Sequence, residues 1–111
     1  MKVDFRVYLI TDRKAIAPGG DLPGTVERAL EGGVGAVQLR EKDLPGKEMF
    51  RLAEKLREIT ARHGARLLVN DRADVARAVG ADGVHLGVLS IPTREARRLL
   101  GDNAIIGCSA H

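Results

Sequence analysis

The regular alternation of short apolar runs with amphipathic segments most constrains what this chain can fold into. Runs rich in Val, Ile and Leu predict buried strands at 7–11, 36–40, 66–69, 83–86 and 104–107. Apolar residues at helical spacing predict helices between these strands, and 47–63 is the clearest of them. Because apolar strands that alternate with helices are typical of parallel sheets, we expect an α/β protein built from βα units.

The number of units suggests an architecture. Four βα units followed by a fifth strand amount to half of a TIM (β/α)8 barrel, which typically takes about 250 residues. An open, doubly wound sheet is the alternative. We interpret the 111 residues as a single domain that forms about half of such a barrel, β1 to β5. Its first and last strands would then be unpaired edges, which predicts a homo-oligomer.

Composition excludes several classes of function. Lys and Arg number 18 against 15 Asp and Glu, and these charges are interspersed, so no basic patch for nucleic acid is predicted. Aromatic residues make up 3% of the chain, which argues against a stacking platform for single strands. No membrane span or signal peptide is visible. The lone Cys108, predicted to be a small core residue, fits a reducing compartment. We therefore expect a cytoplasmic protein without a nucleic-acid or membrane partner.

The second predicted strand ends in an unusual set of polar residues. Because side chains alternate along a strand, Gln38, Arg40 and Lys42 share one side, while Val37 and Leu39 take the other. The Arg fork and the Lys point charge together suit a diphosphate. The alternative is a salt-bridged strand end in a solvated loop.

Other strand ends are polar as well. In parallel α/β sheets, ligands bind beyond the carboxyl ends of the strands, where Asn70, Asp71, His85 and Ser109 would converge with that set. Asp71 could hold Mg²⁺ together with phosphate oxygens. Two alternatives remain open, a helix cap at Asn70 and Asp71 and a satisfied core histidine at His85.

Five segments resemble, in order and spacing, the thiamine phosphate synthase/TenI family. They are YLITDR at 8–13, VQLREK at 37–42, LVNDRAD at 68–74, ADGVHLG at 81–87 and IGCSAH at 106–111. The resemblance implies the N-terminal half of a TIM barrel. The family joins aminopyrimidine methyl diphosphate to thiazole phosphate and releases pyrophosphate, so phosphorylated small molecules are the implied substrates.

Residue roles follow from that resemblance alone. It implies that Gln38, Arg40 and Lys42 hold the pyrimidine diphosphate, that Asn70 and Ser109 contact the diphosphate, and that Asp71 binds Mg²⁺. The synthases usually continue the fourth motif with Gln-x-Asp, and that aspartate is the second Mg²⁺ ligand. Here Ser90 stands in its place and cannot supply the charge.

The Ser90 loop looks more like the TenI branch, the thiazole tautomerases, whose catalytic histidine falls where His111 stands. A histidine is a suitable proton shuttle between tautomers. The intact set of Gln38, Arg40 and Lys42 instead favours the synthases. We therefore expect a synthase-like diphosphate site in a chain that does not turn over alone, because the family's thiazole-phosphate loops lie in the other half. Thiazole tautomerase is one alternative, and a non-catalytic scaffold or regulatory relative is another.

Overall fold

The computed structural model describes residues 8–15, 20–87 and 89–109, in which strands and helices alternate as predicted. The strands are Tyr8–Ile10 (β1), Ala36–Leu39 (β2), Arg66–Asn70 (β3), Gly83–Leu86 (β4) and Ile105–Cys108 (β5). The α-helices are Leu22–Glu31 (α1), Gly46–Arg62 (α2), Ala73–Val79 (α3) and Thr93–Leu100 (α4), and a 3-10 turn, Arg13–Ala15, follows β1.

The order of the strands decides between the two predicted architectures. All neighbouring strands are parallel, and their order across the sheet is β1-β2-β3-β4-β5. A doubly wound sheet reverses its order at one point, whereas a barrel adds each new strand on the same side. Because crossovers are right-handed, sequential order places every helix on one face of the sheet. The prediction of half a TIM-type barrel is therefore confirmed.

The core lies between the sheet and this layer of helices. Alternate strand residues point into it, among them Val37, Leu39 and Leu67, which are fully buried. Helix α2 contributes the largest apolar stripe, with Met49, Ala53, Leu56 and Ile59 buried. Burying these side chains supplies the main driving force for folding, because apolar surface leaves water.

An aspartate joins three elements at the amino-terminal end of the sheet. The Asp82 Oδ2 atom accepts a hydrogen bond from Arg57 Nη1 at 2.8 Å and another from the backbone N–H of Leu67, also at 2.8 Å. Asp82 therefore ties the start of β4 to α2 and to β3, at the end of the sheet opposite the expected site.

The other face of the sheet is concave, and no described helix covers it. Register places Ile10, Gln38 and Leu68 side by side, and it places Asn70, His85 and Gly107 side by side one layer closer to the carboxyl ends. Ile10 on this face is 49% exposed. Gln38, Asn70 and His85 therefore share this face of the sheet, in two successive layers.

Two expectations about individual residues are wrong. Asn70 and Asp71 do not cap α3, because Arg72 occupies the N-cap position and no side chain bonds the helix start there. Cys108 is exposed instead of buried in the core, because it ends an edge strand, where α4 is the helix that packs on β5. Within the described ranges, no helix is long and apolar enough to cross a membrane.

Candidate diphosphate site

A cavity of about 1020 Å³ opens at the carboxyl ends of the strands, where the sequence predicts a ligand site. All five strands or the loops that follow them contribute to it. The predicted binding residues that line it are Gln38, Arg40, Lys42, Asn70, Asp71 and Ser109. His111 and Val88 lie outside the described residues.

Gln38 is the centre of a hydrogen-bonded relay across three strands. Its side chain is only 3% exposed, so both ends of its amide need partners. The Nε2 atom donates to the Tyr8 hydroxyl at 2.7 Å, and the Oε1 atom accepts from Asn70 Nδ2 at 2.9 Å. This relay fixes which way both amides point, so Asn70 is held at the cavity.

Tyr8 belongs to this relay, although it was not among the predicted site residues. Burial raises the pKa of its hydroxyl, and the hydrogen bond with Gln38 opposes that rise. The hydroxyl therefore stays protonated at neutral pH, so it can still donate a hydrogen bond while it accepts one from Gln38.

Asp71 follows β3 in a strained conformation. Its φ of 67° is the one positive value at a non-glycine residue in the described ranges, and such a conformation costs on the order of 1 kcal/mol. Backbone hydrogen bonds hold it, since the Asp71 N–H donates to the His85 carbonyl at 2.8 Å. The carboxylate itself has no ion pair or hydrogen bond among the described residues and lines the cavity.

Arg40 and Lys42 are both exposed at the cavity. Neither side chain forms an ion pair with any residue that the structure describes. The alternative of a salt-bridged strand end is therefore wrong for these two cations. Arg72 is a third cationic residue that lines the cavity, but its Nη2 atom lies 2.9 Å from Asp74 Oδ2. The hydrogen bond with Asp74 raises the pKa of Arg72.

The two acids of the same segment are paired instead. Glu41 is 4% exposed, and its Oε2 atom accepts a hydrogen bond from Thr11 Oγ1 at 2.7 Å. Asp43 lies 2.6 Å from Arg13 Nη2 and 3.1 Å from Lys14 Nζ. The hydrogen bond from Lys14 and, less strongly, that from Arg13 lower the pKa of Asp43.

His85 and Ser109 meet at the opposite side of the cavity. The His85 Nε2 atom lies 2.7 Å from Ser109 Oγ, a hydrogen-bonding distance. Gly107 makes room for the ring, since a Cβ atom there would lie 2.9 Å from His85 Nδ1. His85 thus has a partner within the site itself, and Ser109 lies where the sequence predicts it.

The loop after β4 contains Ser90, which stands where a second acidic ligand was expected from the resemblance. Its Oγ atom accepts a hydrogen bond from the Gly87 N–H at 2.8 Å, so it closes the loop locally. Among the described residues, no group of three or more His, Cys, Asp or Glu side chains could hold a metal ion. Asp71 alone fits Mg²⁺ only if phosphate oxygens of a ligand complete the coordination, which is a common arrangement for this ion.

Known proteins similar to this chain belong to the family that its motifs resemble. A profile described as thiamine monophosphate synthase matches residues 7–111. A Geobacter sulfurreducens protein with thiamine-phosphate synthase in its name is 58% identical over 99% of this chain and 51% of its own length. The thiamine-phosphate synthase of Clostridium acetobutylicum is 47% identical over 98% of this chain and 51% of its own length.

A solved structure agrees with the fold and its extent. The thiamine phosphate pyrophosphorylase from Pyrococcus furiosus superposes with a TM-score of 0.85 at 40% identity, over 96% of this chain and 50% of that protein. The chain therefore spans about half the length of the relatives that it matches.

Proposed function

Because the chain belongs to the thiamine monophosphate synthase family, we propose that it supplies the diphosphate-binding part of a thiamine-phosphate synthase. Such an enzyme joins aminopyrimidine methyl diphosphate to thiazole phosphate and releases pyrophosphate. The residues of this chain would bind the first substrate and stabilise the departing pyrophosphate.

One observation carries the proposal: Arg40 and Lys42 lie at a cavity beside the hydrogen-bonded amides of Gln38 and Asn70, and neither has an ion pair within residues 8–15, 20–87 and 89–109. Two cations without an ion-pair partner among the described residues favour an anionic ligand, because no carboxylate in that part of the chain competes for them. Gln38 and Asn70 add directed hydrogen-bonding groups. A compact dianionic group such as a diphosphate matches this combination of charge and geometry.

Each residue would then have a distinct role. Arg40 and Lys42 would bind the diphosphate oxygens and offset their negative charge. Asn70 and Ser109 would orient these oxygens through hydrogen bonds. Asp71 would hold Mg²⁺ together with those oxygens, and the bound ion would supply Lewis-acid stabilisation of the leaving group. We expect no turnover from these residues alone, because the resemblance assigns the thiazole-phosphate loops to the other half of the barrel.

Calorimetric titration of the chain with aminopyrimidine methyl diphosphate, with and without Mg²⁺, tests the proposal. We expect binding that strengthens with Mg²⁺ and loses this dependence in Asp71→Ala. Asp102→Ala is the matched control, because Asp102 is an exposed aspartate on the α4–β5 loop and does not line the cavity. Absence of binding in a folded chain would refute the diphosphate site.

Thiazole tautomerase is a second candidate, and one observation favours it. Ser90 occupies the loop position of the expected second acid, lines the cavity and accepts a hydrogen bond from the Gly87 N–H, so it supplies no second carboxylate for a cation. A tautomerase would bind the thiazole phosphate without Mg²⁺ and would depend on His111. Tautomerisation of the thiazole by the chain, followed by nuclear magnetic resonance and abolished in His111→Ala, would support this candidate over the synthase.

The remaining expectations are proposals of the same kind. A cytoplasmic location fits the lone, exposed Cys108. A homo-oligomer through the sheet edges would cover strands β1 and β5, each of which pairs on one side within the described residues. A non-catalytic scaffold or regulatory relative would bind phosphates or form that assembly, and it would turn over neither substrate pair.

A further inference from the structure

The four residues that follow β2, 40–43, alternate between positive and negative charge, and the structure gives the two cations and the two acids different surroundings. Arg40 and Lys42 face the cavity without a partner in the described part of the chain, whereas Glu41 and Asp43 are both engaged. The anions could neutralise the cations next to them in sequence. Groups at the end of β1 bind the anions instead.

Thr11 is the central group of this arrangement. The residue is 4% exposed, and its hydroxyl uses both of its hydrogen-bonding functions across 30 residues of sequence. The Oγ1 atom donates to Glu41 Oε2 at 2.7 Å and accepts from the backbone N–H of Arg40 at 2.9 Å. One hydroxyl therefore fixes the backbone of a cavity cation and the side chain of the neighbouring acid.

Arg13 completes the environment of the Glu41 carboxylate. The Arg13 N–H lies 3.2 Å from each carboxylate oxygen, and Arg13 Nε lies 3.5 Å from Oε1. A buried carboxylate is tolerated only when hydrogen bonds and opposite charge replace its water. Glu41 is therefore a buried carboxylate at a position where burial would ordinarily favour an apolar residue.

We propose that Thr11 and Glu41 are positioning residues, which lock the segment 40–43 so that its two cations stay available to a ligand at the cavity while its two acids stay bound to Thr11, Arg13 and Lys14. The inference rests on the proposed function, because it assumes that the cations serve an anionic ligand. Without the Thr11 bond, the Arg40 backbone and the Glu41 carboxylate lose a common anchor. The carboxylate is then free to pair with Lys42 or Arg40.

Inorganic pyrophosphate, titrated calorimetrically, is the probe for this role. Thr11→Val keeps the side-chain shape and charge but removes both hydrogen bonds, so we expect binding to weaken about fivefold or more. Thr11→Ser restores the hydroxyl and should restore the affinity. Thr60→Val is the matched control, because Thr60 is also buried and bonds one backbone carbonyl in α2, away from the cavity.

The Glu41→Gln variant distinguishes a positioning role of Glu41 from a general effect of its charge on pyrophosphate affinity. This substitution removes a negative charge near the cavity, so electrostatics alone would tighten pyrophosphate binding. A positioning role predicts weaker binding, because the amide holds Arg13 and Thr11 less firmly than the carboxylate does. Tighter binding in Glu41→Gln, or equal affinity of Thr11→Val and Thr60→Val, would overturn the inference.

Amide hydrogen exchange at Arg40 distinguishes failure of this inference from failure of the proposed function. We expect faster exchange in Thr11→Val and none of this acceleration in Thr60→Val. If the wild-type chain binds no pyrophosphate but Arg40 still exchanges faster in Thr11→Val, the locking of the segment stands and the proposed function fails. Unchanged exchange at Arg40 would overturn the locking itself.

Discussion

Replacing Asp82 by alanine should destabilise the fold strongly without changing the ligand site. Asp82 lies at the amino-terminal end of the sheet, and its side chain is 16% exposed. Its Oδ2 atom accepts hydrogen bonds from Arg57 Nη1 and from the Leu67 N–H, both at 2.8 Å. The substitution removes both bonds and leaves the N–H of a fully buried leucine without its partner.

The expected magnitude follows from these contacts. Breaking a largely buried ion pair costs about 3–5 kcal/mol, and an unsatisfied buried N–H by itself costs about 1–3 kcal/mol. Because the two costs overlap, we expect a loss of about 3–5 kcal/mol in the free energy of unfolding, a large share of the stability of a small domain. Asp82→Asn should cost less, since its amide oxygen can still accept from Leu67.

Urea denaturation followed by circular dichroism measures this loss, and Asp102→Ala serves as the exposed control. Pyrophosphate affinity in the folded Asp82→Asn variant should equal that of the wild type, because Asp82 does not line the cavity. A loss below about 1 kcal/mol for Asp82→Ala would refute the reasoning, as it would place these bonds in the range of solvent-exposed pairs.

Three further predictions concern other parts of the molecule. Burial raises the pKa of Tyr8 in the folded state above its ordinary value of 10.0, so the free energy of unfolding should fall as pH rises beyond that value. Tyr8→Phe should remove this contribution to the pH dependence, and phenolate absorbance reports the titration directly because Tyr8 is the one tyrosine in the chain. Gly107→Ala should displace the His85 ring, shift its imidazole resonances and cost about 1–3 kcal/mol in thermal unfolding experiments, whereas unchanged resonances would contradict the close approach. Sedimentation should show a homo-oligomer through the sheet edges. Replacing Ile10, the 49% exposed last residue of edge strand β1, by lysine should weaken it, and a monomeric wild type would refute this expectation.

Much of the site could be predicted from the sequence because strand alternation is a local property. Gln38 and Arg40 share a face for that reason, and the carboxyl end of β3 placed Asn70 and Asp71 at the same rim. The hydrogen bond between Gln38 and Asn70 could not be predicted, since it depends on the register of strands that are 32 residues apart in sequence. Thr11 and Glu41 were missed as a pair for the same reason, although a glutamate between two expected ligands was a usable signal.

The sequence by itself determined the α/β class, the positions of its elements and the family to which the chain belongs, because periodicity and ordered motifs are properties of the linear chain. Only the tertiary structure decided that the strands follow one another in order and that all helices cover one face. It also decided which charges are available: Arg13, Lys14 and Thr11 engage Glu41 and Asp43, while Arg40 and Lys42 have no ion pair in the part of the chain that the structure describes. Such pairing depends on contacts between the ends of β1 and β2, and these contacts form when neighbouring strands align in the sheet.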